Sequence, residues 1–205
     1  MRESPVNMPL LEEEAPRDPY ELFTRWFREA QEAGAVQPDA MTLATAGEDG
    51  VSARMVLFKG LHNGTFLFYT NYDSRKGRDI GHDRRVALVF YWPVTRHQVR
   101  VYGIAHKVSR EASMGYFRSR PRGAQLSALA SPQSRVVRSR EVLEKKVLEL
   151  AATHPDDVPL PRSWGGYSVK PRWIEFWENR DDRLHDRLRY VARERSGWRL
   201  ERLAP

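Results

Sequence analysis

Between Trp164 and Arg187 the chain reads W-G-G-Y-S-V-K-P-R-W-I-E-F-W-E-N-R-D-D-R-L-H-D-R, which packs aromatics, glycines, a histidine and several arginines into one short span. Read as a strand, the end of this span puts Arg183, His185 and Arg187 on one face and Leu184, Asp186 and Leu188 on the other. Read as a helix, it takes His185 off that face. The strand reading builds a cationic wall with an imidazole at its middle, beside the flat indole of Trp177, and suits a flat anionic ligand.

Other basic clusters are Arg54 with Lys59, Arg75 with Lys76, and Arg118 with Arg120 and Arg122. Ser74 places Arg75 and Lys76 in the first turn of a helix, where free backbone N–H groups and the helix dipole already favour an anion. Arg120 and Arg122 flank Pro121 in a stiff turn, a sensible second clamp. Two phosphate sites suit a phosphorylated cofactor together with a phosphorylated substrate.

Other chemistries find little support. The six histidines show no metal-ligand spacing, and no metal site is expected. Ser-His-Asp catalysis has no G-x-S-x-G elbow to rest on. Without cysteine there is no thiolate nucleophile, disulfide or zinc-thiolate site. Neither G-x-G-x-x-G nor G-x-x-x-x-G-K-[ST] occurs. A net charge of +7 predicts anionic partners. The bases are scattered through strand ends and turns with no lysine-rich tail, which favours small phosphorylated molecules over nucleic acid. No segment approaches the roughly 20 apolar residues of a membrane span, so a soluble, cytoplasmic protein is expected.

These residues need elements to position them. Residues 1–17 are polar, proline-punctuated and acidic at Glu12 to Glu14, and read as a flexible, solvated arm ahead of a single domain over 18–205. Asp18 caps a helix with Pro19 at its first position and Glu21 completing a capping-box-like pattern; Leu22, Phe23, Trp26, Phe27 and Ala30 repeat at helical spacing to about Ala33. From Met41 the period shortens to that of strands: 41–46, 51–59 and 65–70, then 86–92 and 98–108, with a last hairpin of 184–192 and 198–203 turning at Ser196-Gly197. Ser74, Ser109 and Ser139 start helices. Short turns rather than crossover helices join most strands, so the fold class is mainly β: an antiparallel sheet closed into a small barrel with peripheral helices. Strict alternation puts Arg54 and Lys59 on opposite faces, so the strand must end or bulge near Lys59 if both serve one site.

With these residues in view, the chain resembles the pyridoxamine (pyridoxine) 5′-phosphate oxidase family from Asp18 to Pro205. The resemblance is carried by R-M-V-L-F-K (54–59), F-Y-T-N-Y-D-S-R-K-G (68–77), Y-F-R-S-R-P-R-G-A-Q (116–125), S-P-Q-S-R (131–135) and W-G-G-Y…I-E-F-W…R-L-H-D-R…E-R-L-A-P. It implies an FMN-binding split β-barrel, working as a homodimer with flavin at the interface. It also implies oxidation of pyridoxine and pyridoxamine 5′-phosphates to pyridoxal 5′-phosphate, with O2 as acceptor, in vitamin B6 biosynthesis and salvage. Carried across by position, Arg54, Arg75, Lys76 and Ser134 surround the flavin phosphate. Met55, Val56, Leu57, Phe58, Lys59, Tyr69, Thr70, Gln98, Gln133, Trp177 and Arg187 complete the flavin site. Lys59, Tyr116 and Arg120 grip the substrate phosphate, Leu184 lies beside the substrate, and Arg183 and His185 lie over its ring as the catalytic pair.

Three positions depart from the family pattern. Ala124 stands where many relatives have a phosphate-binding serine, Thr95-Arg96-His97 stands where the family commonly reads L-E-R, and Arg2 begins a lid segment without the usual tyrosine. Alternatives are a sibling flavin oxidase of the phenazine-pathway type and a flavin-binding protein without turnover. Retention of Lys59, Tyr116, Arg120 and R-L-H-D-R together argues against the sibling.

Overall fold

Every strand pairing is antiparallel, and the strands run in the order β2-β1-β5-β6-β7-β4-β3, with β8 added to β7 and β9 to β8. The computed structural model describes residues 9–205, so the first eight residues of the expected arm, Arg2 among them, lie outside the described residues. The strands are β1 (Ala40–Gly47), β2 (Gly50–Leu57), β3 (Leu61–His62), β4 (Thr65–Asn71), β5 (Arg85–Trp92), β6 (His97–Lys107), β7 (Trp164–Glu178), β8 (Asp186–Ala192) and β9 (Trp198–Arg202). Helices α1 (Pro19–Glu32), α2 (Arg75–His82), α3 (Arg110–Ser119), α4 (Arg122–Ala130) and α5 (Arg140–Thr153) lie outside the sheet. The antiparallel barrel with peripheral helices is as expected.

Closure happens near Lys59, where a strand end or bulge is expected if Arg54 and Lys59 serve one site. Strand β2 ends at Leu57, and the chain then switches partner. Lys59 N–H donates to Leu67 O at 2.8 Å and Leu67 N–H donates to Gly60 O at 3.0 Å, which joins the edge strand β2 to β4. Phe58 is buried in the core, and Lys59 lines the cleft described below.

Alternation supplies the core: Met41 and Leu43, Phe66 and Phe68, Leu88 and Phe90, Val99 and Val101, and Ile174 and Phe176 are each fully buried. Helix α1 plugs one side with Leu22, Phe23, Trp26 and Ala30. Its Phe23 packs edge-to-face on Phe66, Phe90 and Phe58 at centroid distances of 4.9, 5.0 and 5.4 Å. Burying each such ring stabilises by about 2–3 kcal/mol. The helix begins as its residues predict, with the Asp18 side chain accepting from Tyr20 N–H at 3.0 Å.

Strand β7 holds the rest together. It pairs with β6 along one edge; its other edge serves β4 near its start and β8 near its end. A register shift at Tyr102/Gly103 bends it in the middle. A Cβ on Gly103 would sit 2.5 Å from Lys170 O, so only glycine allows the two backbones to approach this closely.

Two expectations are corrected. The R-L-H-D-R run is strand only from Asp186; Asn179 to His185 form a turn, and Arg183 takes the left-handed conformation at φ 69°. Local hydrogen bonds win over strand pairing here: Leu184 N–H donates to Asp182 Oδ1 at 2.9 Å and Arg180 N–H to His185 Nδ1 at 3.0 Å. The acidic segment at Glu12 is not simply solvated, because Arg202 bonds both Glu12 carboxylate oxygens at 2.6 Å and Tyr190 OH donates to Pro16 O at 2.9 Å. Among the described residues no helix is long and apolar enough to cross a membrane.

Candidate active site

The start of β7 carries a cation-rich cleft of about 310 Å3, lined by Met55, Val56, Leu57, Lys59, Tyr69, Thr70, Lys76, Tyr116, Arg120, Gln133 and Trp164. The larger groove of about 600 Å3 beside Val36, Met55, Val89 and Tyr91 has no charged residue on its wall. Each part of the cleft has a local cause. Ser74 caps α2 by accepting from Gly77 N–H at 3.3 Å, leaving Arg75 and Lys76 in the first turn. A Cβ on Gly77 would lie 2.1 Å from Tyr72 O, so glycine is required for the chain to fold back over its cap.

Asp79, one turn along α2, organises Arg54. Its Oδ2 accepts from Thr45 Oγ1 at 2.7 Å and Ser52 Oγ at 3.0 Å and sits 3.6 Å from the Arg54 guanidinium. Arg54 also donates to Thr45 Oγ1 at 2.7 Å and to Ser52 Oγ. Burial drags the Arg54 guanidinium below its ordinary value against the pull of Asp79. Burial, then Arg54, does the same to Lys76, so two cations share a region with one carboxylate. Lys76 Nζ reaches Gln133 Oε1 at 3.0 Å, and Gln133 in turn accepts from Thr70 Oγ1 at 3.2 Å. This tether brings the 131–135 loop, with Ser134 at φ 70°, to the site.

On the other side, Tyr69, Tyr116 and Trp164 stack, with Tyr69–Tyr116 at 4.0 Å and Tyr69–Trp164 at 5.6 Å. Arg120 lies over Trp164 at 4.9 Å, and among the described residues its buried Nη1 has no hydrogen-bond partner. Burial pushes its pKa down, since it lowers the stability of a charge left without a counterion. Lys59 is held by Asp39 at 2.9 Å. An anion entering beside Arg120 and Lys76 supplies the counter-charge that Arg120 lacks.

The far end of β7 carries a second group. Gln98, Trp177 and Arg187 form one row across β6, β7 and β8. Arg187 forks onto Glu175 Oε1 at 3.1 and 2.9 Å and donates to Ala204 O at 2.8 Å. Glu175 is only 3% exposed and also meets Arg100 at 3.3 Å. The Trp177 ring lies 4.8 Å from the His185 ring. Arg183 and Leu184 project from the exposed turn.

The expected site residues therefore fall into two sets. Arg54, Met55, Val56, Leu57, Lys59, Tyr69, Thr70, Arg75, Lys76, Tyr116, Arg120, Gln133 and Ser134 gather at the start of β7, while Gln98, Trp177, Arg183, Leu184, His185 and Arg187 gather at its end. Phe58 belongs to the core. Gly165 pairs with Thr70, and Trp177 pairs with Gln98. Those twelve residues of strand span roughly 40 Å at about 3.3 Å each, far more than the cleft. The residues not anticipated are carboxylates and an aromatic floor: Asp39, Asp79, Glu175, Asp186 and Trp164. Only Trp164, an aromatic just before two glycines, had a local signal.

Residues 27–154 match the family described as pyridoxamine 5′-phosphate oxidase, and residues 164–205 match the pyridoxine 5′-phosphate oxidase C-terminal dimerisation region. The pyridoxine/pyridoxamine 5′-phosphate oxidase of Salinibacter ruber is 52% identical over 192 residues, 92% of this chain and 89% of its own. Its counterpart from Rubrobacter xylanophilus is 53% identical over 198 residues, 96% of this chain and 91% of its own. Among solved structures, PhzG from Burkholderia lata 383, in complex with tetrahydrophenazine-1-carboxylic acid, superposes with a TM-score of 0.91 at 31% identity, covering 98% of this chain and 99% of its own. A pyridoxamine 5′-phosphate oxidase-related, FMN binding protein from Nostoc punctiforme shares the fold at a TM-score of 0.75 and 18% identity, over 92% of this chain and 98% of its own. The barrel, the two matched segments and relatives at about half identity across nearly the whole length agree, and the chain belongs to the pyridoxamine 5′-phosphate oxidase family of split-barrel oxidoreductases.

Proposed function

We propose that the chain binds FMN and oxidises pyridoxine 5′-phosphate and pyridoxamine 5′-phosphate to pyridoxal 5′-phosphate, with O2 as the electron acceptor, H2O2 as co-product and ammonia released from the amine. The observation that carries this reading is Arg120. Arg120 lines the same cleft as Lys59 and Tyr116, a few side chains from the Ser74-capped helix, and its buried Nη1 has no hydrogen-bond partner among the described residues. Two anion seats beside one another suit a phosphorylated cofactor and a phosphorylated substrate.

The residues present fit FMN. Arg54, Arg75, Lys76 and Ser134 would hold its phosphate, since Arg54 and Lys76 exceed the charge of their one nearby carboxylate. Thr70, Gln133 and the strand 55–58 would line its chain and ring. When bound, FMN supplies a ring that accepts a hydride from C4′ of the substrate and returns the electrons to O2.

The second set of residues must come from another copy. A two-fold dimer, consistent with the dimerisation region over β7 to β9, would set the Trp177 end of one protomer against the Trp164 end of its partner. Trp177 and Arg187 would then flank the flavin, and Arg183 and His185 would lie over the substrate ring. Clamping the phosphate by Arg120, Lys59 and Tyr116 fixes C4′ in place and supplies most of the proximity effect. His185 Nδ1 accepts from Arg180 N–H at 3.0 Å, so the proton of the neutral ring sits on Nε2, free to donate toward the substrate.

A second reading, oxidation of a phenazine precursor, is favoured by the PhzG likeness. It leaves the Arg120 and Lys59 charges facing a single carboxylate rather than a phosphate dianion. Anaerobic mixing of the FMN-loaded protein with pyridoxine 5′-phosphate separates the two. Bleaching of the flavin band is expected; an unbleached band, or a protein that cannot be loaded with FMN, overturns the proposal.

A further inference from the structure

The turn that carries Arg183 and His185 is anchored from below by a buried carboxylate that has no place in the ligand contacts described so far. We propose that Asp186 and Arg180 are positioning residues for His185, fixing the ring's tautomer and the conformation of the Arg183 turn by holding Arg180 in place. The proposal rests on the reading of His185 as a substrate-facing residue.

The network is continuous. Asp186 is 7% exposed, and its Oδ2 accepts from Arg180 Nε at 2.7 Å while its Oδ1 accepts from Arg202 Nη1 at 2.8 Å. Leu10 N–H adds the carboxylate's third bond, the second to Oδ2, at 3.3 Å. Burial works against the charge of Asp186, but the bonds from Arg180, Arg202 and Leu10 outweigh it and hold the carboxyl below its ordinary range. Arg180 is itself clasped between Asp186 and Glu178, the latter at 3.7 Å. With its guanidinium held by these two carboxylates, Arg180 donates its backbone N–H to His185 Nδ1.

Two consequences reach the candidate chemistry. The Arg180 N–H makes Nδ1 an acceptor, which assigns the proton of the neutral imidazole to Nε2 on the side away from the turn. Arg183 N–H bonds back to Arg180 O at 3.3 Å, so the left-handed Arg183 leans on the same residue. Neither Asp186 nor Arg180 needs to touch a ligand for this. The outer end of the network is Arg202, which joins Asp186 to Glu12 and to Leu10 O at 2.6 Å.

The test uses the FMN-loaded wild type, Asp186→Asn and Arg180→Lys, with three readouts: kcat and KM on pyridoxine 5′-phosphate, the FMN dissociation constant, and the 15N resonances of the His185 ring. Asp186→Asn is expected to lower kcat by about 10-fold to 100-fold, with FMN affinity within about 3-fold, since misplacing a contacting group costs turnover more than cofactor binding. Its Nδ1 resonance should leave the unprotonated position expected for the wild type and report a tautomer mixture. If Asp186→Asn does not fold, Arg180→Lys, which keeps the buried cation, decides in the same way. Wild-type kcat with an unchanged His185 tautomer overturns the proposal, as does a fall in FMN affinity equal to the fall in kcat. A wild type that turns over no B6 phosphate sinks the functional reading alone, and the 15N readout still decides the positioning role.

Discussion

At the Trp164 end of β7, Arg120 keeps a buried nitrogen without a partner, whereas at the Trp177 end Arg187 is forked onto Glu175 and Arg180 onto Asp186. Both ends are cationic and aromatic. They differ in where the counter-charge comes from. One end leaves charge uncompensated, which costs folding stability and is recovered only when an anion binds. The other supplies its own carboxylates and therefore has a fixed shape before any ligand arrives. Binding strength and alignment are thus expected to separate by region.

Gly77→Ala carries the largest expected effect. The new Cβ meets Tyr72 O at 2.1 Å, so the chain over the Ser74 cap must move. A loss of about 4 kcal/mol or more is expected, with flavin retention abolished, read by thermal melting and by absorbance after gel filtration. Glu175→Gln comes next. It leaves Arg100 and Arg187 facing a neutral, buried amide, and denaturant unfolding should register a loss of about 3 kcal/mol.

Arg120→Met tests the opposite end. The kcat/KM for pyridoxine 5′-phosphate should fall by about 2 kcal/mol, roughly 30-fold, while the stability of the ligand-free protein stays level or rises. A stability loss as large as that of Glu175→Gln would erase the contrast between the ends. Arg183→Ala should lower kcat about 10-fold and leave FMN retention intact, because its turn belongs to the aligning end. Equal losses in both would show the assignment to be wrong.

The smallest effect is one of pH. His97, paired in register with Glu178, is held down to about 4 from 6.5 by burial, Arg25 and Arg180, and it stacks on Trp26 at 3.8 Å. Its folded value lies below its unfolded one, so the unfolded chain takes up the proton first. Stability is therefore full above pH 6.5 and declines as pH falls toward 4, by about 1 kcal/mol at pH 5.5. Urea midpoints at pH 7.5 and 5.5 should differ less in His97→Phe than in the wild type.

What could be read from the sequence was local. The Asp18 and Ser74 caps and the strand periods all follow from neighbours within a few residues, and each appears in the fold. The cations were legible because their types and spacing are conspicuous. Their carboxylate partners were not. Asp79 meets Arg54 across two elements, and Glu175 meets Arg100 across a strand pair, so nothing local marks them. The R-L-H-D-R run misled because alternating polarity imitates a strand. The preceding Asn179, Asp181 and Asp182 were the overlooked turn signal, and Asp182 is the residue that accepts from Leu184 N–H.

Strand β7 also sets how the molecule must assemble in time. Its partners β4 and β6 come roughly 100 and 70 residues earlier in the chain, so both must wait with an open edge until β7 arrives. Folding of this barrel accordingly belongs to the slow, non-local class, in which loop closure precedes any reward from pairing. The waiting edges of β4 and β6 are the surfaces on which a nascent or refolding chain would aggregate, and refolding yield should fall with concentration before it falls with temperature.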